Sequence, residues 1–478
     1  MDLSFYVGNT FKERISFEDY KGNVYSFKQV DEIANHIAFL LSEKGIKSGD
    51  YISVFSNNKA MELILFFASL KIGSILVPHN LKLSRSEILR EMDIVKSKLA
   101  IFSKTVDGEI LDIKNDINIE SMFLEDLESK TSKIFKSNEI DIERTAIIIF
   151  TGGTTGIPKG AKISLRAILF NSFNTIITWK LSDNDSTVLA YPLYHTGGWN
   201  VLTLPLYITG GKTIFIEKFK PEIIMEIIDK KKITTLSAVP AIFLEMVNSE
   251  DFKFKNLNSL RFVKSGGGMS SPQVVNAFLS KGIKFYQGYG LTEAGPNLFY
   301  SDEEDLKRNN SIGRKSLFVD LKLIDEEGKE SYTGELYVYG PVIYSGYIGN
   351  EEKVEFVKTG DILERDNDGF YYFKGRKKFM YKSGGENIYP TEIENVLEKH
   401  PDIIECAVIG VPDEKWGEVG KAFIVSRKKI AEDEIKKYLL KYIARYKIPK
   451  YFVFVSQIPK TPAGKKDYLK LGSGEYEK

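Results

Sequence analysis

Residues 145–160 read TAIIIFTGGTTGIPKG, an apolar run that passes into a loop rich in glycine and threonine. The apolar run predicts a buried strand, and Ser164 predicts the N-cap of a following helix. Glycines let backbone amides approach phosphate oxygens, and Lys159 adds a mobile positive charge. Taken alone, the loop fits a tight structural turn equally well. It is not a Walker A motif, because Gly160 follows the lysine where that motif has Ser or Thr. The candidate phosphate-binding residues are Thr151, Gly152, Gly153, Thr154, Thr155, Gly156 and Lys159.

Outward from this loop, strand-like and helix-like segments alternate along the chain. A helical pattern at 27–44 is followed by a strand pattern at 51–55, a helix at 59–71 and a strand at 74–78. Such alternation predicts an α/β fold with mainly parallel sheets and helices packed on their faces. Further strands are predicted at 145–150, 186–191, 212–216, 235–239, 260–265 and 284–288. Residues 109–140 are charged and weakly periodic, and no element is assigned to them.

The character of the chain changes towards its C-terminal end. From Gly334 the pattern is that of β-structure, and after Arg376 two amphipathic helices (391–399 and 432–445) accompany short strands such as 406–410. The length of 478 residues also favours more than one domain. We therefore predict a large N-terminal domain, residues 1–377, with a β-rich subdomain, and a small α+β C-terminal domain, residues 378–478.

Composition excludes several classes of function. With 43% hydrophobic and 27% charged residues the chain is of the ordinary globular type, and 66 basic against 65 acidic residues leave no field that favours nucleic acid. The single cysteine, Cys406, lies in an apolar run and predicts a buried strand residue in a reducing, cytoplasmic setting. No signal sequence and no apolar run near the roughly 20 residues of a membrane span are found, so no integral membrane segment is expected.

A second motif, YQGYGLTEAGP, occupies residues 286–296. Gly288 and Gly290 keep the backbone accessible, and the ring of Tyr289 offers a flat face for a purine. Thr292 and Glu293 place a hydroxyl beside a carboxylate, which suits a phosphate oxygen and its Mg²⁺. By itself the motif is more typical of a tyrosine-bearing turn. Its interpretation depends on what accompanies it.

The chain resembles the adenylate-forming superfamily, which includes acyl-CoA synthetases, aryl-CoA ligases, firefly-type luciferases and peptide-synthetase adenylation domains. The resemblance covers essentially the whole chain and rests on eight motifs in the family's order. They are the loop at 151–160, PLYHTGG at 192–198, SGGG at 265–268, QGYGLTEAGP at 287–296, GELYVYGP at 334–341, TGD at 359–361, GRKKFMYKSGGENIYP at 375–390 and PKTPAGK at 459–465.

The resemblance implies a nucleotide site. Asp361 matches the aspartate that binds both ribose hydroxyls, and Arg376 matches the arginine that also contacts the ribose. Lys465 matches the catalytic lysine that neutralises charge on the α-phosphate; without the motif it would be taken for a solvated lysine. Gly266 and Gly267 fall in a segment that the resemblance places at the nucleotide and acyl sites.

The resemblance also implies a moving domain. Lys378 matches the hinge residue about which the small domain turns, and Gly384 and Gly385 match the glycines that line the pantetheine tunnel afterwards. His195, after the aromatic Tyr194, matches a histidine at the border of the acyl pocket. A lone histidine at such a place is otherwise more often structural.

The implied enzyme uses ATP, with Mg²⁺ at Glu293, to convert a small-molecule carboxylic acid to acyl-AMP and pyrophosphate, and then transfers the acyl group to CoA. The pocket segments, after His195, at 265–268 and after Glu293, are rich in small residues, which favours a medium- or long-chain fatty acid. Alternatives are an aryl or o-succinylbenzoate-type CoA ligase, an enzyme that loads a carrier protein, and a non-catalytic nucleotide-binding homologue. A monomer or homodimer is expected.

Three positions depart from the family's usual pattern. Gly152 stands where most relatives have serine, Leu165 where histidine is common, and Phe379 where an aspartate often follows the hinge. The first removes a hydroxyl donor from the phosphate loop. The last is expected to alter the swing of the small domain or its resting position.

Overall fold

The structure is a computed structural model that describes residues 2–128, 135, 141–151, 158–302, 304–305, 308, 311–350, 352–383, 386–461 and 464–474. The predictions for Gly152, Gly153, Thr154, Thr155 and Gly156, and those for Gly384 and Gly385, lie outside the described residues.

The strands belong to four sheets and are numbered here in chain order. They are β1 Ile15–Asp19, β2 Val24–Ser26, β3 Tyr51–Phe55, β4 Ile75–Pro78, β5 Leu99–Phe102, β6 Glu120–Phe123, β7 Thr145–Thr151, β8 Lys159–Ser164, β9 Ser186–Leu189, β10 Lys212–Phe215, β11 Thr235–Ala238, β12 Phe262–Ser265, β13 Lys284–Gln287, β14 Phe299–Tyr300, β15 Ser311–Lys315, β16 Asp320–Ile324, β17 Thr333–Tyr339, β18 Val357–Arg365, β19 Phe370–Arg376, β20 Tyr381–Ser383, β21 Glu386–Ile388, β22 Ile403–Asp413, β23 Gly417–Ser426 and β24 Tyr451–Phe454.

The helices follow the same numbering. They are α1 Leu3–Phe11, α2 Phe27–Glu43, α3 Ala60–Ile72, α4 Arg85–Val95, α5 Gly108–Leu111, α6 Leu165–Trp179, α7 Thr196–Asn200, α8 Thr203–Thr209, α9 Pro221–Lys231, α10 Pro240–Asn248, α11 Asp251–Phe254, α12 Pro272–Ser280, α13 Pro390–Leu397, α14 Glu432–Leu439 and α15 Tyr468–Gly472. Short 3₁₀ helices span Asp112–Asn115, Leu124–Glu128, Lys377–Phe379 and Arg445–Lys447.

Two sheets with mostly parallel neighbours form the large N-terminal part. One has the strand order β6-β5-β3-β4-β7-β8, and the other has the order β13-β12-β11-β9-β10-β1-β2. Helix α3 is buried along its whole length and contributes Phe66 and Phe67 to a core that also contains Phe17 of the second sheet and Leu76 of the first. A helix that is apolar on all sides must be buried in this way. The predicted α/β class is confirmed.

The β-rich subdomain is an antiparallel sheet with the order β14-β15-β19-β18-β17-β16. The small C-terminal part combines the order β21-β20-β23-β22, with β24 parallel to β23, and the helices α13 and α14. Cys406 is fully buried on β22, as predicted. Among the described residues no helix is both long and apolar enough to cross a membrane.

Three local predictions need correction. Strand β8 pairs antiparallel with β7, so the glycine-rich loop joins two strands of a hairpin and does not lead directly into a helix. The helix that follows does begin after Ser164, whose side chain accepts a hydrogen bond of 3.2 Å from Ala167 N. The helix predicted at 432–445 ends at Leu439, and the unassigned stretch 109–140 contains β6 and parts of α5. Strand β8 escaped prediction because two lysines interrupt its short apolar pattern.

Candidate active site

The site lies where several parallel strands of the second sheet end. Strand β12 ends at Ser265 and its neighbour β13 ends at Gln287, so the segments 265–268 and 287–293 leave the sheet side by side. The segment with His195 follows β9, the other neighbour of β11. Ligands of open α/β sheets bind at the carboxyl ends of their strands. The fold therefore brings three of the predicted segments to one edge.

Asp361 is held between two motifs. The hydroxyl of Tyr289 donates a hydrogen bond of 2.6 Å to Asp361 Oδ2, and Arg376 Nε lies 2.8 Å from Oδ1 across the β18–β19 ladder. The arginine contact is an ion pair without hydrogen-bond alignment, and Oδ1 has no hydrogen-bond partner among the described residues. Burial raises the pKa of Asp361, opposed by the charge of Arg376 and the tyrosine hydrogen bond. Oδ1 is thus available to an incoming hydroxyl donor.

Glu293 is fixed by a residue that the sequence did not single out, Tyr347. The Tyr347 hydroxyl donates a hydrogen bond of 2.7 Å to Glu293 Oε1, and the backbone oxygen of Glu293 accepts one of 2.8 Å from Tyr344 N. The ammonium of Lys159 lies 5.3 Å from the centroid of the Tyr347 ring. One tyrosine therefore joins the lysine after the phosphate loop to the Thr292–Glu293 pair. A lone aromatic in a β-rich stretch gives no sequence signal for this role.

His195 is the N-cap residue of α7, and its ring lies 4.7 Å from that of Tyr194. Burial, followed by the positive charges of Lys465 and Lys82, lowers the pKa of His195 to about 4. The imidazole is therefore neutral near pH 7. Because a neutral imidazole has one donor and one acceptor nitrogen, it can contact a substrate without adding charge.

Lys465 comes from the C-terminal part and is placed in the same site. It lies in a turn closed by hydrogen bonds of 2.8 Å from Thr461 N to Lys465 O and from Asp467 N to Pro459 O. Burial and the nearby charge of Arg376 lower the pKa of Lys465, whereas Asp361 and Glu293 raise it. The lysine is thus close enough to both carboxylates to interact with their charges.

The residue after Lys465 is turned in another direction. Lys466 Nζ lies 3.1 Å from Glu394 Oε2 and 2.9 Å from Glu398 Oε1, both on or next to α13. The hydroxyl of Tyr468 donates a hydrogen bond of 3.0 Å to Glu394 Oε2, and Glu394 Oε1 accepts one of 2.8 Å from Val408 N. These four side chains, the Lys466 cluster, anchor the turn that carries Lys465. Because Glu394 and Glu398 are far from Lys466 in the sequence, no local pattern predicts that they interact.

The region of the predicted hinge lies against the same turn. Lys378 belongs to a short 3₁₀ helix, and burial, followed by the charge of Arg376, lowers its pKa. The next residue, Phe379, packs its ring 4.7 Å from that of Tyr468. The residue that departs from the family's pattern therefore contacts the Lys466 cluster.

Several predicted glycines have a steric reason to be glycine. A Cβ on Gly266 would lie 2.9 Å from the hydroxyl of Tyr191, and one on Gly290 would lie 2.4 Å from the backbone of Gly295 and Pro296. Gly267 has a φ of +81°, which favours glycine. Gly288 is adjacent to Lys264, whose Cε would lie 2.3 Å from an added Cβ. Contacts with neighbouring side chains and backbone, and the positive φ of Gly267, thus account for glycine at these positions.

Trp199, the residue after the PLYHTGG motif, is fully buried in the large core. Its ring lies 5.2 Å from that of Phe66, and its Nε1 donates a hydrogen bond to the backbone oxygen of Leu193. Trp199 thus stabilises the segment around His195 from the side of the core.

A divalent cation fits the site only together with phosphate ligands. No group of three or more His, Cys, Asp or Glu side chains in the described part of the chain is arranged to hold a metal by itself. Mg²⁺ commonly takes one or two protein carboxylates, with water and substrate phosphates for the rest. The oriented carboxylate of Glu293, with the half-buried Thr292 beside it, suits that requirement.

Comparison with known proteins identifies the family. A family model described as "AMP-binding enzyme" matches residues 6–348, and one described as "AMP-binding enzyme C-terminal domain" matches residues 392–465. A 2-succinylbenzoate–CoA ligase from Oceanobacillus iheyensis is 31% identical over 464 residues, 95% of each chain. A feruloyl-CoA synthase from an Amycolatopsis species is 28% identical over 460 residues, 93% of this chain and 92% of the relative.

Among solved structures, ATP-bound MatB from Rhodopseudomonas palustris superposes with a TM-score of 0.90 at 25% identity and covers 99% of both chains. The fold and the site define an ATP-using ligase of the adenylate-forming superfamily. The chain belongs to the AMP-binding enzyme family, as an AMP-forming acyl-CoA synthetase.

Proposed function

We propose that this enzyme activates an aromatic carboxylic acid with ATP as acyl-AMP and passes the acyl group to the thiol of CoA. The observation that carries the proposal is the presence of Lys465, from the C-terminal part, beside Asp361 and Glu293 of the N-terminal part. A lysine that senses the charge of two carboxylates, each of which has another partner, is poised for an anionic ligand. The α-phosphate of ATP is such a ligand.

In the first half-reaction the substrate carboxylate attacks the α-phosphorus of ATP, and the bond to pyrophosphate breaks. The protein aligns the two reactants and offsets negative charge on the transferring group. Asp361 Oδ1 accepts a ribose hydroxyl, and Arg376 contacts the ribose. Lys465 interacts with the α-phosphate, and Lys159 with the departing pyrophosphate. Thr292 and Glu293 would hold Mg²⁺, which supplies charge neutralisation of the phosphates.

In the second half-reaction the CoA sulfur attacks the acyl carbonyl, and AMP leaves. We propose that residues 378–478 turn about Lys378 as one domain, which withdraws Lys465 and brings the segment with Gly384 and Gly385 to the site. A single site then serves two reactions because one domain moves. Neutral His195, at the border of the acyl pocket, can contact the reactants in both arrangements without repelling a cation.

The choice of an aromatic acid differs from the fatty acid that the sequence favoured. That expectation rested on the abundance of small residues around the pocket. The named relatives act, by their names, on feruloyl and 2-succinylbenzoyl groups, and they do not single out fatty acids. Their similarity over more than nine-tenths of the chain supports the aryl alternative.

The test is a panel of aromatic and aliphatic acids, each assayed with ATP for pyrophosphate release, with and without CoA. We expect aromatic acids to release pyrophosphate and, with CoA, to form a thioester. If aliphatic acids react better throughout, the substrate class is wrong. If no acid releases pyrophosphate, the enzyme reaction itself is wrong. Pyrophosphate release without a thioester would favour a carrier protein as acceptor.

A further inference from the structure

A fully buried lysine outside the phosphate site, Lys264, lies on β12 directly before the segment 265–268. It is only 2% exposed. Its ammonium donates a hydrogen bond of 2.5 Å to Asn297 Oδ1 and lies 3.9 Å from the centroid of the Trp179 ring. Lysine is rarely buried without a charged partner. Its position therefore calls for an explanation.

No carboxylate in the described part of the chain forms an ion pair with Lys264. Lys71, which is also fully buried, shows the usual arrangement, because its Nζ lies 2.7 Å from Asp2 Oδ2 and 2.8 Å from Asp31 Oδ1. Lys264 instead has one neutral amide oxygen and one aromatic face. An ammonium has three donors, and a buried charge without a counter-ion is strongly destabilising. Burial accordingly lowers the pKa of Lys264 far below its ordinary range.

The surroundings of Lys264 are the three segments expected to form the acyl pocket. The lysine precedes Ser265, and its amide partner, Asn297, lies in the segment after Glu293. Asn297 Nδ2 in turn donates to the backbone oxygens of Asn200 at 3.2 Å and Val201 at 3.4 Å, in the segment after His195. The ammonium thus marks the point where these segments meet behind the strand ends.

Gly288 supplies the connection to the nucleotide segment. A Cβ at Gly288 would lie 2.3 Å from Lys264 Cε and 3.2 Å from its Nζ. The lysine side chain therefore runs directly against the backbone of the segment that continues to Tyr289 and Glu293. An acid that enters between these segments with its reacting carboxylate towards the phosphate site extends its other end towards Lys264.

Unsatisfied polar atoms occur in the same neighbourhood. The indole Nε1 of Trp179 and the side-chain oxygen Oδ1 of Asn200 are buried and have no hydrogen-bond partner among the described residues. Most buried polar groups in native proteins are paired, and the unpaired indole N–H, a donor, suits a carboxylate oxygen. A purely structural role would be met as well by an apolar side chain of similar length.

We propose that Lys264 forms the far end of the acid-binding pocket and selects a substrate with a second carboxylate at the end opposite to the one that is adenylated. The second carboxylate supplies the counter-charge that the protein lacks at this point and accepts hydrogen bonds from the ammonium. The inference rests on the proposed adenylation site, since it concerns the other end of the same substrate.

The experiment uses the full-length enzyme and pairs of acids that differ only in a distal carboxylate. Suitable pairs, in which a methyl group replaces the distal carboxyl group, are adipate with hexanoate, terephthalate with 4-methylbenzoate, and benzene-1,4-diacetate with 4-ethylphenylacetate. Each acid is assayed for kcat/KM in ATP-dependent pyrophosphate release with the wild type, Lys264→Met and the surface control Lys253→Met. Methionine preserves the length of the side chain, and such volume-conserving changes are usually tolerated.

We expect the wild type to prefer the dicarboxylate in at least one pair. Lys264→Met should lower kcat/KM for that dicarboxylate on the order of 10²-fold, mainly through KM, as loss of a buried charge partner does. Its activity on the monocarboxylate should be unchanged or higher, and Lys253→Met should match the wild type for both acids.

Two results would overturn the inference while leaving the adenylation site intact: wild-type preference for the monocarboxylate in every pair, or an equal loss of both activities in Lys264→Met. If Lys264→Met does not fold, the wild-type preferences and the polar variant Lys264→Gln decide the question, since loss of charge alone should remove the dicarboxylate preference. Absence of pyrophosphate release with every acid would instead refute the proposed function, and the inference with it.

Discussion

The hydroxyl of Tyr289 donates a hydrogen bond of 2.6 Å to Asp361, a carboxylate that is only 2% exposed and lies 72 residues further along the chain. This bond links the nucleotide segment after β13 to the β-rich subdomain. It occupies Oδ2 and leaves Oδ1, beside Arg376, for a ligand. The two motifs therefore form one binding surface through a single pair of side chains.

Tyr289→Phe should weaken ATP binding, because the buried carboxylate loses its neutral donor and its position. A hydrogen bond to a charged group contributes about 1.5–3 kcal/mol, so KM for ATP should rise about 10-fold or more. The rise is measured by pyrophosphate release at varied ATP. Tyr371→Phe, a buried tyrosine on the neighbouring strand β19, is the matched control. An unchanged KM for ATP in Tyr289→Phe would show that Asp361 does not depend on this bond.

Lys465→Ala should slow formation of acyl-AMP on the order of 10²-fold or more, since a preorganised cation at the transferring phosphate is lost. Thioester formation from supplied acyl-AMP and CoA should change little, because Lys465 has then left the site in the proposed mechanism. Single-turnover measurements separate the two steps. Lys429→Ala, an exposed lysine of the same part of the chain, serves as control. Equal loss in both steps contradicts the assigned role.

Lys466→Met should destabilise the C-terminal part and also slow adenylation. Removing one partner of a buried ion pair typically costs about 3–5 kcal/mol, because Glu394 and Glu398 then keep uncompensated charge. The Lys466→Met/Glu394→Gln double variant should regain part of that stability. Urea unfolding measures the stability, and the two half-reactions are compared under conditions where each variant is folded. If acyl-AMP formation and thioester formation fall together, the cluster does not position Lys465.

The free energy of unfolding should depend on the protonation of His195 at acidic pH. Burial and the charges of Lys465 and Lys82 lower its pKa from 6.5 to about 4. Between these values the unfolded chain binds a proton that the native protein does not, so stability falls as the pH falls through this window. Lowering the pH from 7 to 5 should destabilise the wild type by about 2 kcal/mol more than His195→Gln, which lacks the group. Urea unfolding at both pH values provides the measurement, and equal pH dependence would contradict it.

The sequence predicted elements well where an apolar run is bounded by turns. The pattern predicts strand β3 with both ends, because Tyr51–Phe55 is mostly apolar and is buried on the sheet from Ile52 onwards. Strand β8 gives no such signal, since Lys159 and Lys162 flank the small residues Gly160 and Ala161 and leave no apolar run. Local patterns predict what a segment does, and β8 forms only because β7 is there to pair with it.

The residues of the site also divide into those that the sequence indicates and those that only tertiary contacts reveal. Asp361 and Lys465 are assigned through the resemblance, and Glu293 first through the chemistry of its own motif. Their separation in the chain gives no sign that the three meet. Tyr347 and Glu394 were not named at all. Each acts on another residue of the site through a tertiary contact, and no local pattern distinguishes such a tyrosine or glutamate from one on the surface.

Lys465 and Lys466 are neighbours in the C-terminal turn, but their side chains interact with different domains. Lys465 interacts with charges of the large domain, whereas Lys466 pairs with carboxylates of the small one. If the small domain turns as proposed, Lys466 travels with its own carboxylates. Asp361 stays with Tyr289 and Arg376, and Glu293 stays with Tyr347. When Lys465 leaves the site, neither carboxylate is therefore left without a partner. The two arrangements can remain close in free energy, so that the bound ligand, and not the protein, sets the direction of each cycle.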